Sequence, residues 1–436
     1  MKVLKFGGSS IATASKMKEV ADLIQKEEKI IVVFSALSGM TNTLIDISDY
    51  LYKKNPDAAN EIINLLELKY LNLISELYID ESNKSQIEDV LREHFNSIRV
   101  YTKDLFTLFE EKVILAQGEL ISSSLMYFLL KERNINVEYI PALDFMRTDK
   151  NAEPDPIYIK EKLNKQLDLD SNVNVYVTQG YICRNAYGEI DNLGRGGSDL
   201  TASLIGAAIQ AEEIQIWTDL DGMQNNDPRY VESTSPVRNL LFEEAAELAY
   251  FGAKILHPTC IQPAKLNNIP VHLLNTKKPN APGTMISNRL EKGEIKAVAA
   301  KDQITVIKIK SGRMLLAHGF LRKVFEIFEN YQTSIDMIAT SEVGVSVTID
   351  KTRHLMEILD DLKKYGTVTM EEDMTIVCVV GDLEWTNLGF ESKAMEALRE
   401  IPVRMISYGG SNYNISFLIK TEDKKQALQA LSNKLF

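Results

Sequence analysis

Cysteine is scarce in this 436-residue chain. Cys183, Cys260 and Cys378 lie far apart, with no CxxC pair and no metal-ligand spacing to any of the five histidines. That excludes a disulfide framework and a zinc-type cluster, and it predicts reduced, mostly buried thiols in a cytoplasmic protein. No Gly-Lys dipeptide occurs anywhere, which excludes a Walker loop, and no GxGxxG follows a strand. Phosphate handling, if present, must rest on another arrangement. Long basic runs are absent and the formal charge is −12, which speaks against nucleic acid or an anionic membrane surface as the main partner. A nucleotide stays open, because a local pocket can be positive on an acidic protein. Apolar runs such as Ile30–Phe34 have strand length, no signal-peptide pattern leads the chain, and no membrane span is expected.

What is present is an ordinary globular composition, 45% hydrophobic and 25% charged, on a chain long enough for roughly two to four domains. Residues 1–50 alternate strand and helix, the βαβ pattern of a parallel sheet covered by helices. From Pro56 to about Arg133 the chain reads as helical, and strand-like runs return at VNVYVTQGYI and EIQIWTDL. Proline, glycine, asparagine and charge gather over Lys277–Glu294, which reads as a domain boundary. Beyond it the pattern repeats: Gly319-Phe320 recurs as Gly389-Phe390, and Val345, Val347, Ile349 recur as Ile415, Phe417, Ile419, both with an offset of 70 residues. Two small α+β modules in tandem are expected, with open sheet edges suited to self-association.

The N-terminus reads Lys2-Val-Leu-Lys5-Phe6-Gly7-Gly8-Ser9-Ser10 and runs into an amphipathic helix from about Thr13 to Glu27. Two glycines let the backbone approach a ligand, the following helix offers amides and a positive dipole end to an anion, and Lys5 adds a point charge. An ordinary strand–turn–helix with a solvated lysine fits this segment equally well. A second cluster, Gly194-Arg195-Gly196-Gly197-Ser198-Asp199, opens the Leu200–Gln210 helix. An N-cap would explain Asp199, but not an arginine between glycines, which suits a bidentate grip on carboxylate or phosphate. Weaker alone are the Ser35–Asn42 loop, Gln117-Gly118-Glu119 as a carboxylate at a helix start, and Trp217–Met223 with Asp227-Pro228-Arg229, whose dipeptides are common turn signals. Phe251–Pro258 ends a helix with Lys254.

Taken together, KFGGSS, SALSGMTN, QGE, GRGGSD, WTDxDG with DPR, and AKILHP resemble the aspartate kinases of the amino-acid kinase family over essentially the whole chain. The resemblance implies an α/β fold: a catalytic domain over 1–290 with a mostly parallel central sheet and helices on both faces. A regulatory region over 296–436 follows, made of two ferredoxin-like ACT modules at about 310–372 and 375–436, the second completed by the strand near 298–309. It implies ATP-dependent phosphorylation of the β-carboxylate of L-aspartate. Lys5, Arg195 and Asp199 would be the catalytic groups. Lys5, Phe6, Gly7, Gly8, Ser9, Thr218, Asp219, Gln224, Arg229, Lys254 and Ile255 would hold ATP, and Ser35, Thr41, Glu119, Tyr181, Arg195, Gly196, Gly197 and Ser198 the aspartate. Mg2+ would enter mainly through the ATP phosphates. Two positions depart from the family pattern: Gln224 where a tyrosine is frequent, and Tyr181 where a phenylalanine is usual.

The first module resembles the lysine-sensitive members, with Met314, Ala317, Gly319, Phe320, Leu321, Ser334, Asp336, Thr340, Ser341 and Glu342 as the implied effector set. Asp336 and Glu342 can meet the ammonium groups of an L-lysine effector, and the Gly319 turn amides its carboxylate. A homodimer or a dimer of dimers through the ACT modules is expected, with no nucleic-acid or membrane partner. Two other readings stand beside this one: a same-fold kinase for another carboxylate, and a non-catalytic amino-acid sensor.

Overall fold

The computed structural model describes all residues except 28, 104, 168–171, 253–256, 290 and 312–317. They form two compact units, Met1–Met223 with Leu256–Arg289, and Gln224–Ile255 with Leu290–Phe436. The expected single cut at residue 290 does not separate these units, because 224–255 clusters with the C-terminal part. Val298 N donates to Asn225 O, Asn226 Nδ2 donates to Leu428 O, and Gly252 lies so near Ala300 that a Cβ would meet its carbonyl oxygen at 2.3 Å.

The first unit contains β1 (Lys2–Phe6), α1 (Ala14–Ile24), β2 (Ile30–Phe34), α2 (Met40–Tyr52), α3 (Pro56–Leu77), α4 (Glu81–Val100), α5 (Leu108–Glu132) and β3 (Val137–Tyr139). It continues with α6 (Ala142–Phe145), α7 (Pro156–Gln166), β4 (Val175–Gln179), β5 (Ile182–Arg184), β6 (Ile190–Asn192), α8 (Gly197–Ile209) and β7 (Ile214–Thr218). Its main strands run in the order β3-β4-β2-β1-β7-β9-β10, where β9 is Val271–Asn275 and β10 is Thr284–Ser287. All neighbours are parallel except β9 with β10. β2 and β4 are buried at every position, as strands covered on both faces must be. Lys5 aligns with Val33 of β2 and Ile216 of β7, so it stands near the carboxyl end of the central strand, where open parallel sheets bind ligands. By length and composition α5 could cross a membrane, which the short apolar runs of the sequence did not suggest, but most of it is packed inside this unit.

In the second unit β8 (Asn239–Leu241) and α9 (Phe242–Tyr250) precede a six-stranded antiparallel sheet. Between the units in sequence, α10 spans Gln262–Leu266 in the first. The sheet uses β11 (Ile295–Lys310), β12 (Ile338–Ser341), β13 (Gly344–Ile349), β14 (Thr367–Gly381), β15 (Met405–Tyr408) and β16 (Asn414–Lys420), in the order β12-β13-β11-β14-β16-β15. Helices α11 (Phe320–Asn330) and α12 (Leu355–Lys363) bury one half, and α13 (Phe390–Ala397) and α14 (Lys424–Leu435) the other. Each copy of the repeat opens its helix with a glycine in the left-handed region, Gly319 at φ +85° and Gly389 at φ +91°. β11 serves both modules: residues 304–310 pair with β13 and the start of β14, while 295–301 pair with the end of β14. The first module therefore starts before residue 310. The repeat signal sits on the Gly-Phe turn and is silent about the strand preceding it.

Candidate active site

The first glycine turn is dictated by backbone crowding. A Cβ on Gly8 would lie 2.4 Å from Ala36 O, so no other residue fits there. Gly7 N donates to Trp217 O, and a Cβ on it would stand 3.6 Å from Lys5 Nζ. The long helix does not begin at this turn as the sequence suggests. Residues Gly8–Ile11 form a short 3-10 turn, and α1 starts at Ala14 after Thr13, whose hydroxyl accepts from Lys16 N. Ser9 O is held by Lys16 Nζ at 2.8 Å. Phe6 is wholly buried and stacked between Phe34 and Trp217, which leaves only its main chain for a ligand.

The second turn is set by crowding of its own. Gly196 has φ +72°, and a Cβ there would strike Cys260 Sγ and His257 Cβ at under 3 Å. Gly197 lies against Tyr181, itself at φ +67°, and Ser198 presses on Gly180. α8 begins at Gly197, so Asp199 sits in its first turn and is not the N-cap. Its carboxylate goes instead to Lys5: Nζ and Oδ1 are 2.6 Å apart, each side chain 11% exposed.

Glu119 lies in the middle of α5 and not at a helix start. Gly118 lets α5 close on the Ser35–Asn42 loop, since a Cβ would meet Ala36 Cβ at 2.8 Å. Glu119 Oε1 accepts from Ala36 N at 3.1 Å, whereas Oε2 is buried without a hydrogen-bond partner among the described residues. Burial pushes its carboxyl up to about 8 against the opposing pull of the Ala36 amide. Ser122 Oγ donates to Ser35 O and fixes the loop from the same helix.

Lys5, Ser35, Thr41, Glu119, Tyr181 and the Gly196–Asp199 turn thus enclose one cavity of about 260 Å³. Arg195 is exposed between Gly194 and Gly196, which line the cavity, and is not part of the wall. Thr218 ends β7 and the exposed Asp219 follows it, with Thr276 Oγ1 and N both donating to Thr218 O. Gln224 and Arg229 belong to the second unit. The Arg229 guanidinium closes on Asp227 of its own turn, with Nη2 to Oδ2 at 2.6 Å. Lys254, Ile255, Met314 and Ala317 lie outside the described residues.

Of the implied effector set, Phe320 is buried behind the Gly319 turn and Leu321 is 37% exposed. Ser334, Thr340, Ser341 and Glu342 are exposed. Asp336 is different, for its carboxylate is fully buried and paired with Lys301. Sequence reasoning missed Lys301, Asp350 and Tyr250 around it, and Cys260, His257 and Gly180 behind the second turn. A lysine on a strand and a tyrosine at a helix end give no local signal of such partners.

Comparison with known proteins agrees with this architecture. The profile of the Amino acid kinase family matches residues 1–275, and an ACT domain profile matches residues 377–435. Lysine-sensitive aspartokinase 3 of Escherichia coli is 34% identical over all of this chain and 99% of its own length. Chloroplastic aspartokinase 1 of Arabidopsis thaliana is 35% identical over all of this chain and 80% of its own. The structure of E. coli aspartokinase III in complex with aspartate and ADP superposes with a TM-score of 0.85 at 32% identity, covering 100% of both chains.

Proposed function

This chain belongs to the amino acid kinase family, among the aspartokinases, and from that membership we propose how its residues carry the reaction of an aspartate kinase. A β-carboxylate oxygen of L-aspartate attacks the γ-phosphorus of ATP. The bond from that phosphorus to the bridging oxygen breaks, and 4-phospho-L-aspartate and ADP leave. No proton moves in this step, because a carboxylate is already ionised near neutral pH. The protein's task is therefore positioning and charge neutralisation in a loose phosphoryl-transfer transition state. Lys5 neutralises the transferred group, and Asp199 holds the ammonium in place from 2.6 Å. Gly7, Gly8 and Ser9 cradle phosphate, and Glu119 turns its unpartnered Oε2 to the ammonium of aspartate. Arg195, Ser35, Thr41, Tyr181, Gly196, Gly197 and Ser198 complete the aspartate site. Thr218, Asp219, Gln224, Arg229, Lys254 and Ile255 serve the nucleotide.

No group of three His, Cys, Asp or Glu side chains among the described residues is placed to hold a metal ion. A Mg2+ ion arriving with ATP would be held mainly through the phosphate oxygens, with Asp199 beside Lys5 the protein carboxylate at hand, and would supply further charge neutralisation. L-Lysine is the feedback effector in this reading, bound at the first ACT module through the Gly319 turn and Asp336. The lysine-sensitive E. coli relative supports that assignment. Association of ACT modules into a homodimer, or a dimer of dimers, and a cytoplasmic location complete it.

The observation that carries the reading is the Lys5–Asp199 pair at the wall of a cavity lined by the Gly194–Asp199 turn and by Glu119. Aspartate-dependent ADP formation by Lys5→Ala should fall by at least about 1000-fold. Equal turnover by wild type and variant would overturn the assignment of Lys5.

A further inference from the structure

We propose that Lys301 is a tethered competitor of the effector: its ammonium holds the place on Asp336 that the ammonium of free lysine takes, and the exchange releases Tyr250. The proposal rests on reading Asp336 as the effector's acid. Lys301 lies where the register of β11 against β14 shifts, next to Gln303 at φ +61°, as the strand passes from one module to the other. Irregularities of this kind re-aim side chains. Lys301 Nζ is 2.7 Å from Asp336 Oδ1, 3.0 Å from Asp350 Oδ2 and 4.3 Å from the centre of the Tyr250 ring. The Tyr250 hydroxyl donates to the same Asp336 Oδ1 at 2.5 Å.

Two carboxylates thus share one ammonium. Asp336 Oδ2 and Asp350 Oδ1 are buried without a hydrogen-bond partner among the described residues. Unpartnered buried carboxylate oxygens are costly, so Lys301 satisfies this cluster poorly, and an untethered ammonium able to reach the oxygens Lys301 leaves over can take its place. The second module holds the control. There Lys424 Nζ is 2.6 Å from Asp302 Oδ2 and 4.3 Å from the Tyr230 ring, while Thr375 Oγ1 donates to Asp302 Oδ1. The same lysine, aspartate and tyrosine recur, but with one acid for one ammonium and both acid oxygens taken.

A free lysine ends in the same ammonium on the same stem as Lys301, so it satisfies Asp336 with the geometry already in place. A tethered group of identical chemistry raises the concentration of free ligand needed to displace it. Threonine has no side-chain ammonium to offer. Tyr250 ends α9 and precedes Lys254, assigned above to the nucleotide, by four residues. In this proposal the exchange acts on α9 through its last residue, Tyr250.

The test is calorimetric titration of the full chain with L-lysine, paired with inhibition curves. Lys301→Met should bind lysine on the order of tenfold more tightly, and Asp336→Asn should lose binding. If Asp336→Asn binds like wild type, the reading of Asp336 as the effector's acid falls, and this inference with it. If Asp336→Asn loses binding while Lys301→Met binds equally or more weakly, the competitor role alone is overturned. Lys301→Met combined with Asp350→Asn keeps the net charge of the cluster and must show the same tightening should the single variant not fold. Tyr250→Phe should bind lysine yet be inhibited less; full inhibition would remove Tyr250 from the route.

Discussion

In the first unit Lys5 meets Asp199 at 2.6 Å, and in the second Lys301 meets Asp336 at 2.7 Å; both acids are largely or wholly buried. The pairs themselves are alike, and their surroundings differ. Around Lys5 two glycine turns keep side chains away, and a cavity of about 260 Å³ stays next to the ammonium. Around Lys301 a tyrosine ring and a second carboxylate close in. Each region also holds a buried carboxylate oxygen without a hydrogen-bond partner among the described residues, Glu119 Oε2 in the first and Asp336 Oδ2 in the second. The Lys424–Asp302 pair leaves neither oxygen of Asp302 over. A buried lysine–aspartate pair is therefore no sign of a ligand site by itself. On the two proposals above, it is the leftover acid oxygen beside the pair that receives an outside ammonium.

The sharpest break of this comparison is Asp199→Asn, which leaves Lys5 in the cavity without its acid. We expect kcat to fall about 100- to 1000-fold, because an ammonium held by positioning alone loses its aim at the phosphoryl group. Steady-state kinetics with ATP and aspartate varied separately would read this as a loss in kcat with a small change in KM. A change confined to KM would make Asp199 a binding group and not a positioning one.

The contrast sharpens with Lys424→Met, which removes the lysine of the balanced pair. Since Asp302 is 40% exposed, water covers part of the loss, and about 1–2 kcal/mol of unfolding free energy is expected to go, below the cost of a fully buried pair. Urea unfolding measures it. The concentration of lysine for half-inhibition should stay where it is in wild type. A shifted lysine response would mean that the second module also takes the effector.

Much of this arrangement is legible in the chain. The strand–glycine turns at Gly7-Gly8 and Gly196-Gly197 show themselves because only glycine tolerates those close approaches and the positive φ of Gly196. The tandem repeat shows itself because the same left-handed glycine opens both α11 and α13. Other features are invisible to local pattern. Glu119 reads locally as a carboxylate at a helix start, since nothing in Gln117-Gly118-Glu119 says that α5 began ten residues before Gly118 needed to pass Ala36. Asp336 is legible as an acid for the effector only through the family resemblance, and its burial is not, because its neighbours Lys301, Asp350 and Tyr250 come from distant parts of the chain. Tertiary neighbours that belong to different strands and helices leave no spacing to find.

The smallest expected effect separates the two leftover oxygens by pH. Burial holds the Glu119 carboxyl up to about 8, so in the free enzyme at pH 7 most of it is protonated. The ammonium of aspartate needs the carboxylate, and binding must then release a proton. Hence kcat/KM for aspartate should rise with pH, by about tenfold per unit at most, and level off above about 8. For stability the sign is opposite. The native state keeps a proton that the unfolded chain gives up near 4.5, so the contribution of Glu119 to stability declines as pH climbs from about 4.5 to about 8. Glu119→Gln should flatten both slopes while weakening aspartate binding at high pH. A wild-type kcat/KM profile already flat between about pH 6 and 8 would show that Glu119 meets the substrate ionised from the start, and the unpartnered oxygen would lose its role as the mark of an ammonium site.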